Sequence, residues 1–163
     1  MKTSVTGLFS SEFYITGHDY EKKEVQSYLE GIAINCGLKI NLYENANQDW
    51  SLGVLLAVGV GVNIEIKDAY GLQSYYYSFP EYMYVKKNFH YFSISLLGGY
   101  RIVEANIPYK NPTAGIILHL DENRAVHLWG TVASHNYYTY YTNNTYHPSL
   151  KIQEFGISFI RIF

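Results

Sequence analysis

Three constellations in this chain hold residue types that can do chemistry. Ser134 and His135 set a nucleophile beside a base, and an acyl-transfer serine needs an imidazole within hydrogen-bond reach plus a third group to orient it. Adjacent residues on a strand point to opposite faces, so Ser134 cannot readily pass its proton to His135, and no acidic orienter stands near. His147 or a rearranged loop would be needed to complete the site. His119 and His127 form the second pair. With Leu118 and Leu120 facing Val126 and Leu128 across the hairpin at Asp121 to Arg124, the expected pairing sets the two imidazoles opposite each other. Such a pair can share a metal or titrate near neutrality, but no third ligand is identifiable, so the expectation is no metal site. The third set is Glu12, Lys39, Glu65, Arg101 and Glu154, charges of both signs whose meaning depends on the elements that carry them. Gly59-Val60-Gly61 is only a fragment of a dinucleotide fingerprint, because Ile64 takes the third glycine's place and no helix follows.

Those elements are strands. From Ser51 to Lys67, Leu52, Val54, Leu56, Val58, Val60, Val62, Ile64 and Ile66 occupy one face. Ser51, Gly53, Leu55, Ala57, Gly59, Gly61, Asn63, Glu65 and Lys67 fall on the other. A soluble, half-buried strand carries Lys, Glu, Thr or Gln on its wet face, whereas Gly, Ala, Ser and Asn suit the crowded interior of a narrow barrel. The same beat runs through Gly31 to Tyr43, His90 to Val103, and the closing Glu154 to Phe159. Thr3 to Thr16, with Val5, Phe9, Phe13 and Ile15 on one face, Tyr75 to Val85, Thr113 to Leu120 and Ala125 to Asn136 complete a set of about eight. Pro80 cannot donate a ladder hydrogen bond, so a bulge or strand end is expected there. By phase, Glu12, Lys39, Glu65, Arg101 and Glu154 face inward as a polar network that plugs the lumen rather than conducts.

Composition agrees. The 163 residues suit one domain, 1–163, and 18 Tyr and 13 Gly favour strands and tight packing. A net charge of −2 with scattered Lys and Arg draws no basic face, which excludes nucleic acid as a partner. Cys36 stands alone, so no disulfide within the chain and no cysteine-rich metal site is expected, and no residue pattern calls for a cofactor. No run reaches the roughly 18 to 20 apolar residues of a spanning helix. Met1 to Val5 lacks the apolar core of a secretory signal, so an exported protein would be represented here in its mature form.

The expected connections alternate in length: long at Gly17 to Ser27, Asp68 to Ser74, Glu104 to Asn111 and Asn136 to Ser149, short at Glu44 to Asp49, Lys86 to Asn88 and Asp121 to Arg124. Both termini fall on the short-turn side. The fold class read from this is all-β: a closed, antiparallel, up-and-down transmembrane β-barrel of about eight strands, closed because lipid leaves no partner for an open edge. Tyr43, Trp50, Tyr91, Tyr100, Tyr137 and Tyr138 are placed to sit at water interfaces.

With this rhythm, and with the ending Gln153-Glu154-Phe155-Gly156-Ile157-Ser158-Phe159-Ile160-Arg161-Ile162-Phe163, the chain resembles the small eight-stranded outer-membrane barrels of the OmpA-like and OmpX-like kind. The resemblance spans the whole chain and is architectural. It implies a bacterial outer-membrane location and outer-membrane lipid as the surrounding partner. The terminal Phe163, with Gly156 seven residues before it, looks like the signal that the barrel assembly machinery reads in that family. Arg161 departs from the apolar residue expected there and shares the side of Phe159 and Phe163, which suits a position at the interface where its stem can snorkel. Some barrels of this size use Ser and His to remodel lipid A, but the usual His-x-Ser-Asn pattern is missing.

The segment from Asn136 to Pro148 is uncharged and aromatic, with Tyr137, Tyr138, Tyr140, Tyr141 and Tyr146. Tyr offers large contact area at low entropic cost and an adaptable hydroxyl, which makes this loop a candidate binding surface for a host protein or glycan. The alternative is a Tyr-rich hairpin whose rings pair across a ladder. Three readings of function stand: a non-enzymatic outer-membrane barrel with a structural or surface-recognition role, a lipid A-modifying enzyme in the same wall, and a soluble calycin-like barrel holding a hydrophobic ligand. Asp19 to Glu30, readable as a short helix, speaks for the last.

Overall fold

A computed structural model describes residues 3–20, 23–66, 75–104, 109–132, 136–137 and 150–163, and every element assigned among them is a strand. They are β1 (Ser4–Tyr20), β2 (Lys23–Glu44), β3 (Trp50–Ile66), β4 (Tyr75–Asn88), β5 (Ser93–Glu104), β6 (Tyr109–His119), β7 (Arg124–Thr131), the two-residue β8 (Asn136–Tyr137) and β9 (Leu150–Ile162). Each long strand pairs antiparallel with the next, β7 pairs with β9, and β9 closes on β1. Eight long strands therefore make a closed up-and-down barrel, and β8 adds a short pairing to the far end of β9. Closure gives the paired strands no free edge, the condition a sheet must meet in a medium without water.

The period-two pattern decides which face turns out. Val5, Phe9, Phe13 and Ile15 of β1, Ile34 and Leu38 of β2, Val58, Val60 and Val62 of β3, Leu96 of β5 and Phe155 and Phe159 of β9 are all exposed. Ser10, Asn35, Ser51, Ser95, Thr113 and Ser158 are buried inside. The apolar rows do not converge on the bore. That overturns the calycin-like alternative, whose apolar face would line a ligand cavity.

Outward charge lies both near the ends of these rows and within them, where the exposed Glu81 pairs with Leu56 in the middle of β4. Lys87 lies 4.6 Å over the Trp50 ring and Arg161 lies 5.8 Å from the Phe163 ring at the short-turn end. Tyr100, paired with Glu81 across the β4–β5 ladder, carries the ammonium of Lys110, near the start of β6, 4.3 Å from its ring. Arg161 is exposed on the side of Phe159 and Phe163.

Four expectations need correction. Gly17 to Ser27 is not a long loop and Asp19 to Glu30 is not a helix: the β1–β2 ladder continues to Asp19↔Gln26 and Tyr20↔Lys23. Strand pairing is satisfied by backbone groups, so a polar stretch can extend a ladder without an apolar face. Second, Pro80 sits at neither a bulge nor a strand end. The register of β4 against β3 is the same on both sides of it, but pairing skips Ala57 and Val58, opposite Pro80 and Phe79. Its missing N–H interrupts that one seam, while Pro80↔Arg101 stays paired on the β5 side. Third, β6 begins at Tyr109, ahead of the expected Thr113, and β7 ends at Thr131, short of the expected Asn136. Fourth, His119 faces Ala125 and His127 faces Ile117, not each other. The hairpin turns over Leu120 to Arg124, with the Leu120 N–H donating to the Arg124 carbonyl at 2.9 Å, and this shifts the pairing by two residues from the expected one.

Candidate functional site

The bore is the chemically differentiated part of the described structure, and it is layered. Its deepest layer is built on Arg101, which β5 turns inward and which is 0% exposed. Its Nη1 lies 2.7 Å from Glu12 Oε1 of β1, and its Nε lies 3.6 Å from Glu154 Oε1 of β9. Its Nη2 donates to the Tyr76 hydroxyl at 3.2 Å, and its guanidinium lies 4.5 Å from the Trp129 ring. Two carboxylates surround one cation, so the remaining lone pairs need neutral donors. The Tyr109 hydroxyl (2.7 Å) and Asn111 Nδ2 (3.2 Å) supply them to Glu154, and Ser158 Oγ (3.2 Å) to Glu12. Beside this set, Asn35 links Ser10 and Ser78 through two bonds of 3.3 Å.

Bulky aromatics fit into so narrow a tube because glycines on adjacent strands leave room for them. Tyr14 lies over Gly31, its register partner, Tyr76 over Gly61, Tyr84 over Gly53 and Trp129 over Gly156. A Cβ at any of these glycines would overlap the facing ring. The small residues of β3 are thus the complement of the tyrosines of β4.

Toward the short-turn end the charged layer is capped by an apolar one, in which Leu8, Leu55, Leu97, Ile117, Ala125 and Ile160 pack with Tyr82 and Tyr84. The void there is only about 10 Å³. Charged and apolar layers together fill the bore, as the width of eight strands permits. Beyond them the barrel opens into a chamber of about 410 Å³, lined by Lys39, Glu44, Tyr84, Lys86 and His119 among others. His119 Nε2 lies 2.9 Å from Ser95 Oγ, while His127 packs edge-on to Tyr82 at 5.8 Å. Among the described residues no three His, Cys, Asp or Glu side chains converge on a point a metal could occupy.

Of the expected lumen network, Glu12, Arg101 and Glu154 meet, whereas Lys39 faces inward but lines the chamber on the far side of the apolar layer. Glu65 lies outside the residues whose side chains are described. Tyr137 belongs to β8, and Tyr138, Tyr140, Tyr141 and Tyr146 lie outside the described residues, as do Ser134, His135 and His147. Sequence reasoning missed Tyr14, Tyr76, Tyr109, Asn111 and Trp129 as members of the central network. Their inward phase was the available signal.

No family model matches this sequence, and no curated protein matches it. Among solved structures, the chain is similar to Ail, the attachment invasion locus protein of Yersinia pestis, at 10% identity over 97% of this chain and 99% of that one, with a TM-score of 0.46. The structure of Ail in complex with the heparin analogue sucrose octasulfate gives 9% identity, the same coverages and 0.47. The outer membrane protease OmpT from Escherichia coli gives 9% identity over 97% of this chain and 92% of that one, with 0.30.

Proposed function

We propose that this protein is an integral barrel of a bacterial outer membrane, non-enzymatic, with a structural or surface-recognition role carried by its Tyr-rich loop. The observation that carries the membrane reading is the inverted solvation of the wall: Val, Leu, Ile and Phe rows outside, serine, asparagine and paired ions inside. Contiguous apolar surface on this scale needs a cover, and hydrocarbon covers a closed barrel on every side at once. The aromatic and charged pair at the short-turn margin, Trp50 with Lys87, suits the interface on that side. The short-turn end then faces the periplasm and the opposite end, which carries the Tyr-rich segment, faces outward. A filled bore supports a plug rather than a pore.

Recognition is assigned to the segment 137–146, where Tyr137, Tyr138, Tyr140, Tyr141 and Tyr146 offer rings and hydroxyls without charge, a surface suited to a host protein or a sugar face. Strand β9, Leu150–Ile162, is the segment that the assembly machinery would read. The test replaces Tyr138, Tyr140 and Tyr141 with Ser in the full chain. The expected result is unchanged heat-modifiable migration in detergent, with loss of binding to host cells and to a glycan array. Unchanged binding would refute the recognition role.

A further inference from the structure

The chamber at the short-turn mouth holds two ammonium groups that the barrel leaves without counter-ions at contact distance. Lys39 of β2 and Lys86 of β4 both line it, the charge of Lys86 acts on Lys39, and Glu44 is the carboxylate whose charge acts on both. Neither lysine has an ion pair within 4.0 Å among the described residues, in contrast to Arg101, held by two carboxylates deeper in the bore. The apolar layer separates the lysines from those carboxylates. At the rim, Asp121 is already held by Arg124 at 2.6 Å, and Glu122 is in solvent, where charge is screened. The Tyr84 hydroxyl, buried on the wall of the same chamber, has no hydrogen-bond partner among the described residues. Lys39 Nζ stands 5.1 Å from that tyrosine's ring.

Two ammoniums with Glu44 as the carboxylate that acts on both, a hydroxyl without a partner among the described residues and about 410 Å³ of space fit an anion with several acceptor oxygens. A phosphate monoester carries about −1.5 to −2 and three strong acceptors, against one charge and two oxygens for a carboxylate. We propose that the chamber is a binding site for a small soluble phosphorylated compound, its phosphate held between Lys39 and Lys86 with the Tyr84 hydroxyl as a third donor. The inference uses the barrel and its mouth, not the bilayer, so it stands or falls separately from the membrane reading.

The experiment is calorimetric titration of the folded full chain in detergent with glycerol 3-phosphate, with acetate in parallel. Saturable binding of the phosphate is expected, weakened at least tenfold by Lys39→Gln or Lys86→Gln and unchanged by Lys87→Gln, whose side chain lies over Trp50 on the outside of the same strand. Tyr84→Phe keeps the ring and removes only the hydroxyl, so it tests the site even if a lysine variant fails to fold. A loss of about fivefold is expected, the worth of one hydrogen bond. Affinity unchanged in the lysine variants and in Tyr84→Phe, or acetate binding as tightly as the phosphate, would overturn the proposal. So would binding confined to the headgroups of anionic phospholipid in nanodiscs, which would make the source a lipid rather than a soluble compound.

Discussion

Replacing Arg101 with Met removes the one cation found in the central layer among the described residues and leaves Glu12 and Glu154, 4% and 1% exposed, without it. Breaking a buried ion pair from one side costs about 3–5 kcal/mol, because the surviving charge keeps its desolvation penalty. Here two carboxylates are stranded together, and the guanidinium's contact with Trp129 at 4.5 Å is lost as well, so the upper half of that range is expected. The triple variant Arg101→Met/Glu12→Gln/Glu154→Gln removes the stranded charges and leaves amides that Tyr109, Asn111 and Ser158 can still serve. It should return to within about 2 kcal/mol of the parent, since uncharged replacements of buried ionic sets are often neutral. Urea unfolding of the vesicle-inserted barrel, followed by far-ultraviolet circular dichroism and by heat-modifiable migration, measures both. A single variant within about 1 kcal/mol of the parent, or a triple variant as unstable as the single, would refute the claim that this ion set is the buried keystone of the bore.

Gly61→Val puts a branched side chain where the Tyr76 ring lies, and displacing that ring breaks its bond to Arg101. A loss of about 1–3 kcal/mol is expected, partly recovered by adding Tyr76→Ala, as an unfolding double-mutant cycle would show. In the turn after β6, the backbone N–H groups of Asn123 and Arg124 (2.9 and 2.8 Å) and the Arg124 guanidinium donate to Asp121, and the first of these leads in holding its carboxyl below the ordinary value of 3.8. A group depressed in the folded state stabilises above its unfolded pKa and loses that contribution as pH falls through its folded one. The unfolding midpoints of the parent and Asp121→Asn should therefore differ at pH 6 and converge as pH falls through the depressed folded-state pKa of Asp121. A gap independent of pH would contradict the assignment.

Much of the barrel was legible because its two faces meet different surroundings. Gly31 to Tyr43, Ser51 to Lys67 and His90 to Val103 alternate so regularly that the outward rows follow from the chain alone, and the inward phase of Glu12, Arg101 and Glu154 follows with them. That the three meet was not legible, because it depends on the stagger of β1, β5 and β9 around the closed wall. β4 was obscure for a related reason. Its inward face carries Tyr76, Tyr82 and Tyr84 beside the small Ser78, and the space for Tyr76 and Tyr84 is made by Gly61 and Gly53 on another strand. Register also decided the fate of His119 and His127, since a turn closed by Leu120 and Arg124 moves each imidazole one pair along the ladder. The extension of β1 and β2 beyond Thr16 rests on backbone pairing and leaves no hydrophobic trace.

The most direct measurement concerns what bathes the outer rows. Cys36, the chain's single cysteine, is exposed on β2 between Ile34 and Leu38. A nitroxide attached there, in the full protein reconstituted in lipid vesicles, should be relaxed strongly by dissolved oxygen and hardly at all by a water-soluble nickel chelate. Strong relaxation by the chelate with little by oxygen would place that row in water and contradict the bilayer assignment.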